Sequence, residues 1–390
     1  MTGSSHADGA NLDPEAMLRQ AATITGHDAP CGADFMSGLK VFAASIREEA
    51  GLNGTELARV EREIVELLCE RLRVDHWIAE NPSILDQRIP PCIFVIGLPR
   101  TGSTALSQFL SEDPEARSIR RWELHHPTPP PDRSVQTDPR LIATREEFAR
   151  REREQPALKA ALPIEADDPS EHSVILNQTF LNAALPVLYH VPGYTRWLLD
   201  QDLAPAYRHL ARVLKLLQWK TPAGHWNLKN PPDLLSLQAI ANTFPKAIFV
   251  WTHRDPRSSM APVASLAALH RRQVSDGIDL PALMRDMLAY WSEAIRRALV
   301  ARRQIGEHRF VDFSQPYLAS DPIGAIRDLY RKMGRPFTGD YRRHLHERLV
   351  GRPRGQHGSH RYDASEFGVT AAELAIPFRE YAARFASFLT

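Results

Sequence analysis

The chain has few of the features that mark secreted, membrane-spanning or nucleic-acid-binding proteins. Only three of its 390 residues are cysteines, and Cys31, Cys69 and Cys92 form no C-x-x-C pair, which favours a reduced compartment over a disulfide framework. No stretch approaches about 18 uninterrupted apolar residues, and the polar N-terminus lacks the apolar centre of a signal peptide. The net charge of +1 gives no overall attraction to nucleic acid or anionic lipid. We expect a cytoplasmic protein without a membrane span or nucleic-acid partner; transient contact with a membrane surface is compatible with this composition.

What the chain does have is the composition of a globular protein, with 43% hydrophobic and 24% charged residues. Apolar strand-like runs alternate with helical patterns, which predicts an α/β fold with a parallel sheet and helices on both faces. Periodic apolar residues predict a helical N-terminal extension over residues 13–90, after a flexible tail at residues 1–12. Residues 91–390 form the predicted main domain. The proline-rich segment 127–139 is either a lid or a plain linker.

A glycine loop of the phosphate-binding type follows the first predicted strand. The apolar residues 93–96 run into GLPRTGST at 97–104, and a helix is predicted to follow. The spacing G-x-x-x-x-G-S-T is the skeleton of a P-loop, whose backbone N–H groups bind phosphate oxygens at a helix N-terminus. Ser103 stands where an NTPase has the lysine that reaches the γ-phosphate, and the cation of this loop is Arg100 instead. The loop therefore predicts a nucleotide whose transferred group is not a γ-phosphoryl.

A second apolar strand ends in a basic pair. Residues 247–252 read AIFVWT and lead into His253 and Arg254. Ligands of open parallel sheets lie beyond the C-terminal ends of the strands, so we expect Arg254 and Arg100 to reach one anionic ligand. A Walker B strand would instead end in an aspartate that holds Mg²⁺. The pattern disfavours metal-dependent phosphoryl transfer, and no metal site is expected.

Taken together, these motifs resemble those of the sulfotransferases that use 3′-phosphoadenylyl sulfate (PAPS). GLPRTGST at 97–104 is similar to their 5′-phosphosulfate loop, and VWTHRDP at 250–256 is similar to their 3′-phosphate segment. W-x-L-K-x-P at 226–231, and H-x-Y followed by F-G within 360–368, resemble motifs of a bacterial branch that includes mycobacterial lipid- and menaquinone-type sulfotransferases. The resemblance extends over about residues 15–388, with four motifs in the right order.

This resemblance implies a P-loop NTPase-like fold and sulfuryl transfer from PAPS, with PAP as the product and no metal. The acceptor would be a hydroxyl of a small-molecule or lipid-like compound. The implied nucleotide-binding residues are Arg100, Thr101, Gly102, Ser103 and Thr104 at the 5′-phosphosulfate, Arg254 at the 3′-phosphate, and Arg354, His360 and Tyr362 in the C-terminal loop. The family has a serine eight residues after the arginine, where this chain has Pro262, so Ser258, Ser259 or Ser265 is expected to substitute.

The resemblance also implies catalytic roles. Arg100 and Lys229 would stabilise the charge that develops on the bridging oxygen as the sulfuryl group leaves. Pro231 occupies the position where cytosolic relatives have a histidine base. Other branches use a glutamate about twenty residues after the loop arginine, and Glu123 stands there, beside a tryptophan that could desolvate it and raise its pKa.

The assignment of the base leaves alternatives. His125 and His126 could take the proton, because histidine titrates near neutrality. Glu123 could also be a structural carboxylate that pairs with Arg120 or Arg121.

Two other functions remain open at this point. The first is a P-loop kinase acting on a small molecule, which would depend on ATP and Mg²⁺. The second is a catalytically inactive PAP-binding module, suggested by Pro231 and Pro262 in place of expected family residues. No motif specifies the acceptor or the oligomeric state.

Overall fold

A five-stranded parallel sheet lies at the centre of the protein. The structure, a computed structural model, describes residues 12–28, 34–154, 165–272, 275, 277–351 and 364–389. The strands are β1 (Cys92–Gly97), β2 (Ala116–Ser118), β3 (His225–Lys229), β4 (Ile248–His253) and β5 (Phe310–Ser314). Their order is β2-β3-β1-β4-β5, and every neighbouring pair is parallel. The predicted α/β fold with a parallel sheet is therefore confirmed.

Helices pack on both faces of the sheet. They are α1 (Pro14–Thr25), α2 (Met36–Glu49), α3 (Gly54–Glu80), α4 (Ser103–Leu110), α5 (Arg121–His125), α6 (Pro139–Glu154), α7 (Ser173–Asn177), α8 (Leu185–Leu188), α9 (Pro192–Leu199), α10 (Ala204–Gln218), α11 (Leu237–Thr243), α12 (Pro256–Arg271), α13 (Leu280–Ile305), α14 (Gln315–Ser320), α15 (Pro322–Lys332), α16 (Gly339–Gly351), α17 (Ala371–Ala375) and α18 (Arg379–Arg384). Short 3₁₀ turns lie at Pro82–Ile84, Pro231–Leu235, Glu307–Arg309, Ala364–Phe367, Ile376–Phe378 and Ala386–Phe388. None of the helices in the described ranges is long and apolar enough to cross a membrane.

The alternation of side chains along β1 divides the core into two layers. Ile93 and Val95 belong to a smaller apolar cluster with α4, α15 and α16. Phe94 and Ile96 point to the other face and join the main cluster, which includes α10, α12 and α13. A strand that is buried on both faces has a continuous apolar sequence, which is what residues 92–97 show.

The N-terminal helices share the main core with the sheet. An Asn53–Glu56 capping box starts α3, which explains why this helix begins where it does. Phe42 of α2 packs edge-on against the buried Tyr194 of α9, with ring centroids 5.3 Å apart. The predicted helical N-terminal region is thus confirmed.

Prolines limit two of the helices. Before α11, Pro231 and Pro232 lie in a 3₁₀ turn, and the α-helix starts only at Leu237. Between α17 and α18, Pro377 has no N–H to continue the hydrogen-bond ladder, and a 3₁₀ turn separates the two helices.

Candidate active site at the carboxyl end of the sheet

The loop from β1 to α4 takes a conformation that depends on glycine. Gly97 has φ +137°, and a Cβ there would lie 2.5 Å from both the carbonyl oxygen and the Oγ1 of Thr252. Gly102, the N-cap of α4, has φ +80°. Arg100 is in the left-handed region as well, with φ +66°, which is uncommon for a residue with a Cβ. The loop therefore lies tightly against the end of β4 and leads directly into α4.

Two threonine hydroxyls hold this loop against the sheet. Thr101 Oγ1 donates to the Leu98 carbonyl at 2.6 Å and lies 2.7 Å from Thr252 Oγ1. Thr252 Oγ1 lies 3.0 Å from the Ile96 carbonyl, and the Thr101 residue is 1% exposed. The hydroxyl of Thr101, a predicted nucleotide-binding residue, therefore holds the loop in place. Ser103 and Thr104 begin α4, and Thr104 is exposed.

Two arginines meet beside the loop. Arg254, directly after β4, donates from Nη1 to the Arg100 carbonyl at 3.0 Å. Burial lowers the pKa of Arg254, and the positive charge of Arg100 lowers it further. Like charges held close together in a partly buried site repel, so an anion between them would be stabilised.

Buried polar side chains hold the end of β4, just before Arg254, in place. The Oη of Tyr381, on α18, lies 2.9 Å from Nδ1 of His253, the residue that precedes Arg254. The other imidazole nitrogen of His253 lies 2.9 Å from Asp312, which also accepts from Arg302 at 2.7 Å. No local motif pointed to Tyr381, because it is more than a hundred residues from the strand that it supports.

The candidate serines lie on α12, which starts at Pro256 and contains Pro262. Ser258 and Ser259 are in its first turn, and their hydroxyls donate to the Asp255 carbonyl at 2.8 and 3.2 Å. Ser265 is seven residues further on, about 10 Å along the helix axis from Ser258. The nucleotide-site predictions for Arg354, His360 and Tyr362 lie outside the described residues.

Lys229 reaches the loop from the neighbouring strand. The parallel pairing sets Lys229 beside Val95, close to the end of β1. The lysine is 3% exposed, and its Nζ donates to Glu171 Oε1 at 2.7 Å and to Thr104 Oγ1 at 3.4 Å. Burial raises the pKa of Glu171, but the charge and hydrogen bond of Lys229 outweigh it, so the pKa lies below its usual range. Glu171 is therefore an ionised carboxylate that pairs with Lys229.

Glu123 has different partners. Its carboxylate is 3% exposed and accepts from Arg117 Nη2 and from the Arg120 backbone N–H, both at 2.8 Å. Arg117 also stacks on Trp226, with its guanidinium carbon 4.6 Å from the ring centroid. Trp226 precedes Lys229 by three residues, about 10 Å along β3. The structure thus brings Glu171, and not Glu123, into contact with Lys229.

The two histidines proposed as alternative bases lie at the end of α5, where His125 is its last residue and His126 its C-cap. His126 is 58% exposed, and its Nδ1 lies 3.1 Å from Glu70 of α3, so it faces the N-terminal helices. His125 is exposed. Over the described ranges, no three His, Cys, Asp or Glu side chains are grouped to hold a metal ion.

Sequence reasoning missed Glu171. It lies in an irregular segment just before α7, with no motif around it and no fixed spacing to the loop. Glu171 becomes a candidate catalytic residue only through its contact with Lys229, 58 residues later in the chain.

Comparison with known proteins gives the following matches. The model of the "Sulfotransferase family" matches residues 91–339. The structure is similar to that of sulfotransferase STF9 from Mycobacterium avium, with 28% identity, a TM-score of 0.88 and 98% of each chain covered. It is also similar to sulfotransferase STF1 from Mycobacterium tuberculosis H37Rv, with 27% identity, a TM-score of 0.85, and 94% of this chain and 98% of that chain covered. Comparison with curated proteins gives no significant match.

Proposed function

This chain belongs to the sulfotransferase family, and we propose that it transfers a sulfuryl group from PAPS to a hydroxyl of a small-molecule or lipid-like acceptor. The observation that carries the proposal is the convergence of Arg100, Arg254 and Lys229 on one glycine loop at the carboxyl end of the sheet. Fixed cations on a P-loop suit a ligand with two separate anionic groups, such as a 5′-phosphosulfate and a 3′-phosphate.

The residues fit this nucleotide in a specific way. Backbone N–H groups of 100–104 are suited to hold the 5′-phosphosulfate, since they open α4. The Ser103 and Thr104 hydroxyls are available to add hydrogen bonds, whereas Thr101 contributes its backbone. Arg254 is assigned to the 3′-phosphate, with Ser258 or Ser259 beside it in the first turn of α12. A nearby anion relieves the repulsion between the two arginines.

For the chemical step, we assign the base to Glu171 instead of Glu123. Its carboxylate takes the proton of the acceptor hydroxyl while the acceptor oxygen attacks sulfur. The bond from sulfur to the bridging phosphate oxygen breaks in line, and the electron pair stays on that oxygen. Lys229 and Arg100 stabilise the negative charge that develops there. The contact of Lys229 with both Glu171 and Thr104 supports this arrangement, because it joins the base to the loop.

Two features argue against the alternative functions. A phosphoryl-transferring P-loop enzyme needs a loop lysine and an acid at the end of the second strand, and this chain has Ser103 and His253 there. An inactive binding module has no need for an ionised carboxylate held 2.7 Å from a buried lysine. Both observations favour an active transferase.

Calorimetric titration with PAP tests the nucleotide half of the proposal. We expect micromolar binding to the full chain, weakened strongly when adenosine 5′-phosphate, without the 3′-phosphate, replaces PAP. Arg254→Ala should weaken PAP binding at least about tenfold. Arg257→Ala is the matched control, because Arg257 is three residues away but is exposed and pairs with Asp255. Mg²⁺-dependent ATP binding without PAP binding would overturn the proposal in favour of a kinase.

A further inference from the structure

A fully buried carboxylate joins the two chain segments that carry the proposed base and the proposed leaving-group cation. Asp233 is 0% exposed and lies in the 3₁₀ turn after β3. Its Oδ1 accepts from Tyr207 Oη at 2.6 Å and from Asn230 Nδ2 at 2.8 Å. His172 Nε2 lies 3.2 Å from the same oxygen and 3.0 Å from Oδ2.

The partners of Asp233 are direct neighbours of the reacting side chains. Asn230 follows Lys229 in the chain, and His172 follows Glu171. His172 is 0% exposed, so its ring anchors a segment whose next residue, Glu171, has a side chain that is 42% exposed. The hydrogen bonds to Asp233 therefore tie the backbone at 171–172 to the backbone at 229–230.

We propose that Asp233 is a positioning residue that sets the distance between Glu171 and Lys229. This inference rests on the proposed function for its catalytic meaning. If this position only had to be filled, an apolar side chain would do so at a lower free-energy cost, because an ionised carboxylate loses several kcal/mol of hydration on burial. Tyr207 and Asn230 both donate to Oδ1 of Asp233, and His172 Nε2 lies within hydrogen-bond distance of both carboxylate oxygens. An asparagine there would keep one acceptor oxygen but would place its N–H₂ group beside the His172 ring.

The test measures the proton affinity of Glu171 without any transfer reaction. We label the glutamate side-chain carboxyl carbons with ¹³C, titrate the full chain by NMR, and identify the Glu171 signal by its loss in Glu171→Gln. In Asp233→Asn, the contact with Lys229 should loosen, and the pKa of Glu171 should rise by about half a unit or more. Removing the negative charge of Asp233 would by itself lower that pKa, so a rise reports the changed geometry.

Other charges near Glu171 must stay constant for this comparison. They are Lys229, His172, Arg121 and His270, the last on α12. None of them is substituted, so they act on the titration of Glu171 in the same way in both proteins. The kinetic expectation is a kcat reduced about 10- to 100-fold, with the PAP dissociation constant unchanged within about twofold.

Two tyrosines supply a matched pair of variants. Tyr207 donates to Asp233 at 2.6 Å, and Tyr330, on the other side of the sheet, donates to Asp113 at 2.7 Å. Both rings are almost fully buried, so Tyr207→Phe and Tyr330→Phe should lower Tm by similar amounts. Only Tyr207→Phe should raise the pKa of Glu171. These two tyrosine variants still test the role of Asp233 if Asp233→Asn does not fold.

Two outcomes overturn the inference. One is an unchanged pKa of Glu171 in folded Asp233→Asn or in Tyr207→Phe, and the other is an equal rise in Tyr330→Phe. Failure of the proposed function has a different signature, because the unsubstituted chain would then not bind PAP, while the titration of Glu171 would still respond to Asp233.

Discussion

Replacing Glu171 or Glu123 by glutamine should show which of the two glutamates acts in catalysis and which stabilises the fold. In Glu171→Gln, the side chain keeps its size, and its amide oxygen can still accept from Lys229, but it can no longer take a proton. A positioned general base typically contributes a factor of about 10² to 10⁴. We expect kcat to fall by about that factor, with PAP affinity nearly unchanged. The fold should be retained, since the Glu171 side chain is 42% exposed.

Glu123→Gln should have the opposite effect. Glu123 and Arg117 are 4% and 13% exposed as side chains, and breaking a buried ion pair costs about 3–5 kcal/mol. Because the amide still accepts one hydrogen bond, we take the lower value. With an unfolding entropy of about 2.1 cal/mol/K per residue, a loss of about 3 kcal/mol lowers the Tm of a chain of this length by about 4 °C. The turnover of the folded variant should stay within about twofold of the original.

Calorimetry measures the Tm of each variant, and initial rates measure its turnover. In both assays, the concentration of folded protein is taken from titration with PAP. The two variants should fall in opposite corners of a plot of Tm against kcat. The reasoning is refuted if Glu123→Gln abolishes turnover without a loss of Tm, or if Glu171→Gln turns over normally.

Three other substitutions follow from the same geometry. Lys229→Ala should lower kcat by about two to three orders of magnitude and leave PAP affinity within about threefold, which steady-state kinetics and calorimetry would measure; unchanged turnover would remove Lys229 from the transition state. Tyr381→Phe removes the hydroxyl that contacts His253, the residue before Arg254, and should weaken PAP binding about three- to tenfold, again by calorimetry; equal affinity would mean that Arg254 is held without it. The hydrogen bond to Glu70 raises the pKa of His126 in the folded protein. The stability that this contact gives the folded state is therefore complete below the unfolded pKa of about 6.5, and it is lost as the pH rises through the pKa of the folded state. The Tm of the original chain should therefore exceed that of His126→Asn by a small margin at pH about 5.5 and match it at pH about 9; a margin that grows with pH would contradict this sign.

Strands with a continuous apolar sequence could be predicted, and a buried strand whose polar residues find long-range partners could not. β1 and β4 are continuous apolar runs, and both were predicted. β3 reads HWNLK and was missed as a strand, although all five of its residues are buried. Its polar members find partners elsewhere in the fold: Asn227, for example, donates to Ser107 and Ser118.

The same distinction applies to the site. Arg100 and Arg254 each follow a predicted strand, so their positions were enough to predict that they share a site, and the resemblance to PAPS-dependent sulfotransferases added Lys229. The preference for Glu123 came from a family spacing, whereas the base that we propose, Glu171, is defined by a contact between distant segments. The pairing of Glu123 with Arg117 across a turn, and of Glu171 with Lys229, becomes visible only in three dimensions.

The order of the strands has a consequence for synthesis of the chain. β1 pairs only with β3 and β4, and Cys92 meets Trp226 after 134 residues have been added. At about 5–20 residues per second, the ribosome needs on the order of ten seconds to produce that partner. During this interval the apolar segment CIFVIG has neither neighbour, which is the condition under which nascent strands aggregate or recruit chaperones. The glycine loop is translated early in the main domain, but its contacts with β4 can form only after β4 has emerged, so the proposed nucleotide site is completed late.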